Sequence, residues 1–469
     1  MDQEKITQFF NQGNYWAALD YLKQNSKQIN HVLFDWYLGN VYFKLHHYSN
    51  ALEHILNFIS VTKKDPLNLN FLGEIYLEMN QYKNAEKIFN EVLSIAPANK
   101  LALLNLAKIN LNIGNLKESE NLYKSLREND PKNLSYIYSL SRINDKYLSE
   151  ETLYKIDKND LSYNNQIYLK LILAKKFELK KDFKNEIKNL LEAHQIYLAN
   201  KENALNQQFK FHYELLPNFM VKLENLQIGE FNNFKPIFIT GLPRSGTTLI
   251  ERIIVSGKKN IQSLGETDVF DKVFFSNQII KNQEKILQSS FSYLIEKILN
   301  QYKEQGLNNQ NDLFTDKSIT NFLYIELICK IFPNAKFIYC SRNPLANIIG
   351  IFRSFLPNVY WSHSLEKVFL ISELYSNRLN SLKENKLDNL FIVNLEDLTH
   401  DPINVSKNLY KFLNLDWSKG CLENKNNNLI IKTASNLQAR TKIKKHDLEY
   451  TKSYSKILKE QGFNNKLLI

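Results

Sequence analysis

One spacing governs the first third of the chain. When LGNVYFKLHHYSNAL, LGEIYLEMNQYKNAE and LAKINLNIGNLKESE are aligned, the small residue after the first leucine is Gly39, Gly73 and Ala107, at steps of 34 residues. A second small residue keeps the same step: Ala51, Ala85 and Ser119. Pro66, Pro97 and Pro131 punctuate the ends of units. Such a period fits two antiparallel helices per unit, with small residues where the backbones approach most closely. Large apolar residues such as Tyr76, Phe89 and Leu93 are expected to fill the groove to the next pair. One pair cannot bury its own apolar face, so the units must stack.

These positions resemble the tetratricopeptide repeat, over roughly residues 1–145. An earlier unit, NYWAALDYL, carries Ala18 one residue out of phase, and KKFELKKDFKNEIKNLLEAHQIY reads as a degenerate unit ending near Asn200. The expected division is an all-α repeat domain over 1–205, a linker over 206–235 and a second domain over 236–469. A repeat domain can hold a peptide or protein on its concave face, or only scaffold or dimerise its neighbour. The sequence leaves both open.

A chain of 469 residues exceeds one compact core. The net charge of +11 suits an anionic ligand, although much of the lysine lies along solvated helix faces. Cys329, Cys340 and Cys421 form no disulfide framework or metal spacing; two of them lie in apolar runs and read as core in a reducing compartment. The first residues, MDQEKITQFFNQ, have no basic-then-apolar leader, and no run of about 18 uncharged apolar residues occurs. A cytoplasmic protein without membrane span or nucleic-acid partner is the expectation.

The second half reads as α/β. PIFIT (236–240) is a short apolar run before a glycine loop, and TTLIERIIVSG follows with Leu249, Ile250, Ile253 and Ile254 at helical spacing and Gly257 as a stop. AKFIYC (335–340) and LFIVNL (390–395) alternate with helical stretches, which predicts a parallel sheet flanked by helices. The loop GLPRSGTT keeps the P-loop glycines, Gly241 and Gly246, and its last hydroxyl, Thr248. The lysine that follows the second glycine in G-x-x-x-x-G-K-[ST] is here Thr247, so a triphosphate loses its cationic grip. Backbone N–H groups and a helix N-terminus still suit a tetrahedral anion, and Arg244 lies inside the turn. A guanidinium beside two hydroxyls suits a 5′-phosphate bearing sulfate, for which no metal is needed.

Pro243-Arg244-Ser245-Gly246-Thr247-Thr248 resembles the 5′-phosphosulfate loop of sulfotransferases that use 3′-phosphoadenosine 5′-phosphosulfate, closest to the tyrosylprotein type and to bacterial fusions with tetratricopeptide repeats. The resemblance spans roughly 236–450. It implies that Glu266, in LGET, is the general base toward an acceptor hydroxyl. It implies that Lys317, in TDKS, stabilises the bridging oxygen. It further implies that Arg342, in SRNP, clamps the 3′-phosphate, that Ser435 contacts the sulfuryl region and that Arg440 and Lys442 lie over the nucleotide. The bland alternative for each is a solvated surface residue. Two departures stand out: the His-Pro usual before the glutamate is absent, and Gly350 stands where a second 3′-phosphate serine is expected, with Ser341 and Ser354 as substitutes. Lys317 also opens a helix whose dipole it opposes, which calls for an anion nearby. Ser318 or Asp316 is the expected cap of that helix, and Glu396 reads as a fold-holding carboxylate. None of the nine histidines has ligand or triad spacing. The activity implied is sulfuryl transfer to a hydroxyl of protein tyrosine, carbohydrate or small molecule, with a P-loop kinase or a non-catalytic repeat scaffold as the alternatives.

Overall fold

The computed structural model describes residues 3–28, 30–149, 161–223, 234–257, 261–276, 291–308, 313–423, 430–433, 435–445, 447–463 and 465–468. The chain forms two compact units. One is built chiefly from Met1–Ile109 and Thr267–Gln310, the other from Asn110–Asn225, Glu230–Glu266 and Asn311–Ile469.

In the first unit, helices α1 (Gln3–Asn11), α2 (Tyr15–Gln24), α3 (His31–Lys44), α4 (Tyr48–Val61), α5 (Pro66–Glu78) and α6 (Tyr82–Ile95) run in succession. A Cβ on Gly39 would lie 2.6 Å from Ile55, and one on Gly73 would lie 2.6 Å from Phe89, so the small residues do mark the closest approach. The groove-filling set is partly shifted. Tyr76 and Leu93 are only half-buried, while Ile75 and Val92 are fully buried beside Phe89, which packs within its own pair on Gly73. Pro66 opens a helix rather than closing one, since its missing N–H costs nothing at the first position and Asp65 caps the turn from the residue before. The turns between paired helices repeat as well. Gly13, His46, Asn80, Gly114 and Lys181 all adopt left-handed backbone, and Lys181 joins Tyr163–Leu179 to Phe183–Ala199, the expected degenerate pair. The helix Phe291–Glu304 also belongs to the first unit: Glu304 accepts from Ser49 N at 2.6 Å, and Asn80 donates to Gln305 O at 2.7 Å.

The second unit begins with helices, among them Leu116–Asn129, Leu134–Ile143, Tyr163–Leu179 and Phe183–Ala199, and its described elements up to Leu223 are all helical. The expected linker 206–235 is thus helical over 206–223, and residues 224–233 lie outside the described residues. The sheet follows, with β1 (Ile237–Thr240), β2 (Gln262–Ser263), β3 (Phe314–Asp316), β4 (Lys336–Ser341) and β5 (Leu390–Asn394). Its order is β2-β3-β1-β4-β5, with every recorded pairing parallel. Residues on both faces of β1 are buried, which is why its sequence is a continuous apolar run. Ile239, Ile253, Ile338, Val393 and Tyr410 belong to one core. Gly257 does end its helix, but through packing rather than a left-handed turn: a Cβ there would lie 1.9 Å from the Tyr410 hydroxyl, which donates to Ile253 O at 2.7 Å. Cys421, outside the apolar runs, is buried with Cys340, whereas Cys329 is half-buried. After β1 the chain crosses toward β3 and β2; after β4 it crosses toward β5. The carboxyl ends of β1 and β4 therefore flank the point where an open parallel sheet forms its crevice. Among the described residues, no helix is long and apolar enough to cross a membrane.

Candidate active site

The glycine loop leaves β1 against β4. Gly241 has φ +137, and a Cβ on it would lie 2.5 Å from Cys340 O. Gly246 has φ +101 and faces Leu395, whose Cδ1 would be 2.8 Å from a Cβ. Between them Arg244 holds φ +69, a left-handed conformation that costs a non-glycine residue about 1–3 kcal/mol. Two side chains that follow β4 hold this shape. Asn347 donates to Pro243 O at 2.7 Å, and Arg342 Nη1 donates to Arg244 O at 3.1 Å. The helix Thr247–Gly257 starts directly after Gly246, so its N-terminus closes the loop. Ser245 Oγ is buried without a hydrogen-bond partner among the described residues.

The loop's side chains meet the late segment 433–442. Arg244 donates to Ser435 Oγ and to Gln438 Oε1. Thr248 Oγ1 lies 3.0 Å from Thr433 Oγ1. Burial, then Arg342 and Arg142, push the Arg244 guanidinium down to about 10, where it is still charged at neutral pH. Lys442 lines a cavity of about 230 Å³ with Arg244, Gly246, Thr248, Arg342 and Ser435. Arg440 is placed differently from Lys442: it donates to Asn112 O, and a Cβ on Gly114 would touch its guanidinium at 2.9 Å. Arg252 holds the same segment by donating to Ala439 O at 2.9 Å.

A row of charge runs along the β2–β3 side. Lys317 Nζ donates to Glu266 Oε1 at 2.8 Å and lies 4.0 Å from Glu251. Lys317 is 2% exposed, whereas Glu266 is 36% exposed. Burial works against the Lys317 charge, but Glu266 and Glu251 outweigh it and its pKa is raised. Burial raises the Glu251 pKa, opposed by Lys317 and by hydrogen bonds from Thr315 at 2.8 Å and Ser263 at 3.0 Å. These carboxylates are the anions that the sequence called for. The helix position is corrected: a 3₁₀ turn, Ile319–Tyr324, follows Lys317, and the α-helix is only Ile325–Ile331. Asp316 accepts from Ser318 N and Oγ, and Ser318 makes no side-chain cap.

Arg342 lies one residue past β4. Its Nη2 donates weakly to the Tyr450 hydroxyl at 3.5 Å, and its Nε is 4.0 Å from Glu396. Glu396 accepts from Asn343 N at 3.1 Å, a fold-holding contact. The Nε atoms of Arg244 and Arg342 are buried without hydrogen-bond partners among the described residues. Gly350 sits mid-helix against both arginines: a Cβ would be 3.2 Å from Arg342 Nη1 and 3.3 Å from Arg244 Cβ. Ser341 donates into the sheet, to Val393 O, while Ser354 donates to Gly350 O at 2.6 Å. Among the described residues no group of His, Cys, Asp or Glu gathers as metal ligands.

Glu251, Asn347, Thr433, Gln438 and Tyr450 were not singled out from sequence. Glu251 and Arg252 did carry a signal, as a charged pair inside an otherwise apolar helix, and both are about 95% buried. Gln438 lies between Ser435 and Arg440, both named from the sequence. Asn347 and Tyr450 carried none, since each acts across more than 100 residues of chain.

The sheet order and the glycine loop at its switch point define an α/β domain with an open parallel sheet. Residues 236–419 match the sulfotransferase family model, and residues 76–142 match the tetratricopeptide repeat. The chain thus joins tetratricopeptide repeats to a sulfotransferase domain. An uncharacterized protein of Aquifex aeolicus (strain VF5) is 25% identical over 320 residues, 61% of this chain and 40% of its own. Protein-tyrosine sulfotransferase 1 of Danio rerio is 25% identical over 214 residues, 40% of this chain and 55% of its own. The chain therefore spans about half or less of each relative's length. The sulfotransferase domain from the Synechococcus PCC 7002 olefin synthase superposes with TM-score 0.31 at 18% identity, over 52% of this chain and 100% of that one. Mouse sulfotransferase SULT7A1 complexed with PAP gives 0.29 at 15% identity, over 55% and 92%.

Proposed function

We propose that this protein transfers a sulfuryl group from 3′-phosphoadenosine 5′-phosphosulfate to an acceptor hydroxyl. The observation that carries the reading is the Lys317–Glu266 pair at 2.8 Å, placed just beyond the strand that neighbours the glycine loop. Gly241 through Thr248 cradle the 5′-phosphosulfate; the two glycines leave room that a Cβ would fill, and the buried Nε atoms of Arg244 and Arg342 suit an anion. Glu266 is the more exposed partner, so it faces the side from which an acceptor arrives. It takes the hydroxyl proton as the acceptor oxygen bonds to sulfur and the bond from sulfur to the bridging oxygen breaks, that oxygen leaving on the 5′-phosphate. Lys317, Arg244 and Ser435 supply positive charge and hydrogen bonds where negative charge builds on the bridging and outer oxygens. Arg342 and Lys442 hold the nucleotide, and adenosine 3′,5′-bisphosphate is the product. The repeats offer a surface for a peptide or protein, and the name of the Danio rerio relative makes a peptide tyrosine the first acceptor to try.

The test is calorimetry with adenosine 3′,5′-bisphosphate and with ATP–magnesium, followed by transfer of radiolabelled sulfate to tyrosine peptides, sugars and cell extract. Binding of the bisphosphate and label in an acceptor fraction are expected. Binding of ATP–magnesium alone would replace this reading with a kinase, and binding of neither would replace it with a scaffold.

A further inference from the structure

Glu251 is a buried acid in the helix Thr247–Gly257, flanked by the core residues Ile250, Ile253 and Ile254, and it is 5% exposed. Fold stability does not ask for it, since well-packed apolar side chains commonly hold a core as well as a buried ion pair does. Yet its surroundings are built for a carboxylate. Oε1 accepts from Thr315 Oγ1 on β3 and from Ser263 Oγ on β2, and Oε2 lies 4.0 Å from Lys317 Nζ. Burial raises its pKa, and the ammonium and the two hydroxyls oppose that rise. With one oxygen accepting twice and the other facing a cation, the geometry fits the ionised form.

Lys317 is 2% exposed, and an ammonium so buried loses its proton unless a carboxylate stays close. Among the described residues, the carboxylates paired with it are Glu266 at 2.8 Å and Glu251 at 4.0 Å. Asp316 acts on it more weakly, and its carboxylate accepts from Ser318 N at 2.9 Å and Ser318 Oγ at 2.7 Å. Cys340, which feels the Lys317 charge, is kept a neutral thiol by burial. In the proposed reaction Glu266 becomes neutral when it takes the acceptor's proton. The lysine thus loses its nearer partner in the step that needs its charge.

We infer that Glu251 is a positioning residue, a second counter-ion that keeps Lys317 protonated while Glu266 is neutral. The inference rests on the function proposed above. The proton passes from the acceptor hydroxyl to Glu266. Lys317 then shifts its hydrogen bond from Glu266 to the bridging oxygen, and Glu251 neither gains nor loses a proton. With one carboxylate the site would be balanced before proton transfer and hold a lone buried cation after it. With two it is negative before and balanced after.

Glu266→Gln imitates the protonated base without needing an acceptor. The full chain carrying it, labelled with carbon-13 at lysine Cε, is titrated by NMR, the Lys317 signal being assigned by its loss in Lys317→Met. Lys317 should stay protonated to about pH 9. Adding Glu251→Gln should lower its midpoint by about two units or more, roughly a hundredfold in proton affinity. A neutral Lys317 at about pH 7 in Glu266→Gln overturns the inference, and that arm needs no Glu251 variant to fold. A midpoint that Glu251→Gln leaves in place overturns it as well. Turnover is read as label passed from the sulfate donor to the acceptor fraction that the parent labels. Glu251→Gln should lower kcat about tenfold near pH 8 and less near pH 6, with the donor KM within about twofold. A deficit equal at both pH values is what a merely structural carboxylate gives, and it overturns this inference alone. A parent that binds no bisphosphate and labels no acceptor overturns the proposed function, and this role with it.

Discussion

Replacing Gly241 by alanine tests how the loop is held. The new Cβ would sit 2.5 Å from Cys340 O, roughly 0.8 Å inside the shortest ordinary carbon–oxygen approach of about 3.3 Å. That oxygen is backbone of β4, and Thr240 is already in register with Tyr339. Relief therefore means prising β1 from β4 rather than turning a side chain aside. The backbone at φ +137 adds a strain of about 1–3 kcal/mol for a residue with a Cβ, and overpacking adds about 1–3 kcal/mol more. The expected loss is about 2–6 kcal/mol, a large part of the roughly 5–15 kcal/mol that holds a domain folded. Urea unfolding followed by tryptophan fluorescence reads it, because Trp361 and Trp417 both lie in the unit that contains the loop. With a slope of about 2 kcal/mol per molar, the transition of that unit should fall by about 1–3 M, and bisphosphate binding should fall with it. A midpoint equal to the parent's would refute the argument, for it would mean that the strand ends separate freely.

Gly350→Ala is the contrasting case: a helical backbone and contacts of 3.2–3.3 Å to side-chain atoms predict a stability change within about 1 kcal/mol, checked by the same titration. Glu266→Ala should lose about 10²–10⁴ in turnover while bisphosphate binding is retained, and full turnover would remove its role as base. Lys317→Met leaves Glu251 buried without its cation; because its folded pKa is raised above the ordinary 4.5, stability should be highest below that value and fall as pH rises through the folded pKa, by about 1.4 kcal/mol per unit of elevation. A flat pH profile of that variant would refute it. His194 and His363, 2.8 Å apart, are held at about 3 and about 4 by burial, so both fold neutral; stability should be level above pH 6.5 and fall as pH drops from there toward 4, and His194→Phe should shrink that fall in acid unfolding curves.

The repeats could be read because their physics is local and periodic. Gly39 and Gly73 repeat where helices touch, and that contact lies within one helical hairpin. The glycine loop was legible for a similar reason, since strand, turn and helix are contiguous from Ile237 to Gly257. Local reading slipped where phase mattered, as in Tyr76 for Ile75, because one residue rotates a helix face by about 100°. It also placed Lys317 at an α-helix start, although a 3₁₀ turn intervenes.

The sequence alone determined the order of parts: repeating helices, then a parallel α/β region whose loop keeps its glycines and exchanges lysine for threonine. It set the local chemistry, because backbone freedom and helix polarity act over a few residues. Only the tertiary structure decided which charges face one another. Lys317 meets Glu251 and Glu266, and Arg342 bonds the loop's own carbonyl, across 51 to 98 residues of chain. Those pairings follow from how strands order and helices stack, and Coulomb attraction depends on distance in space rather than along the chain.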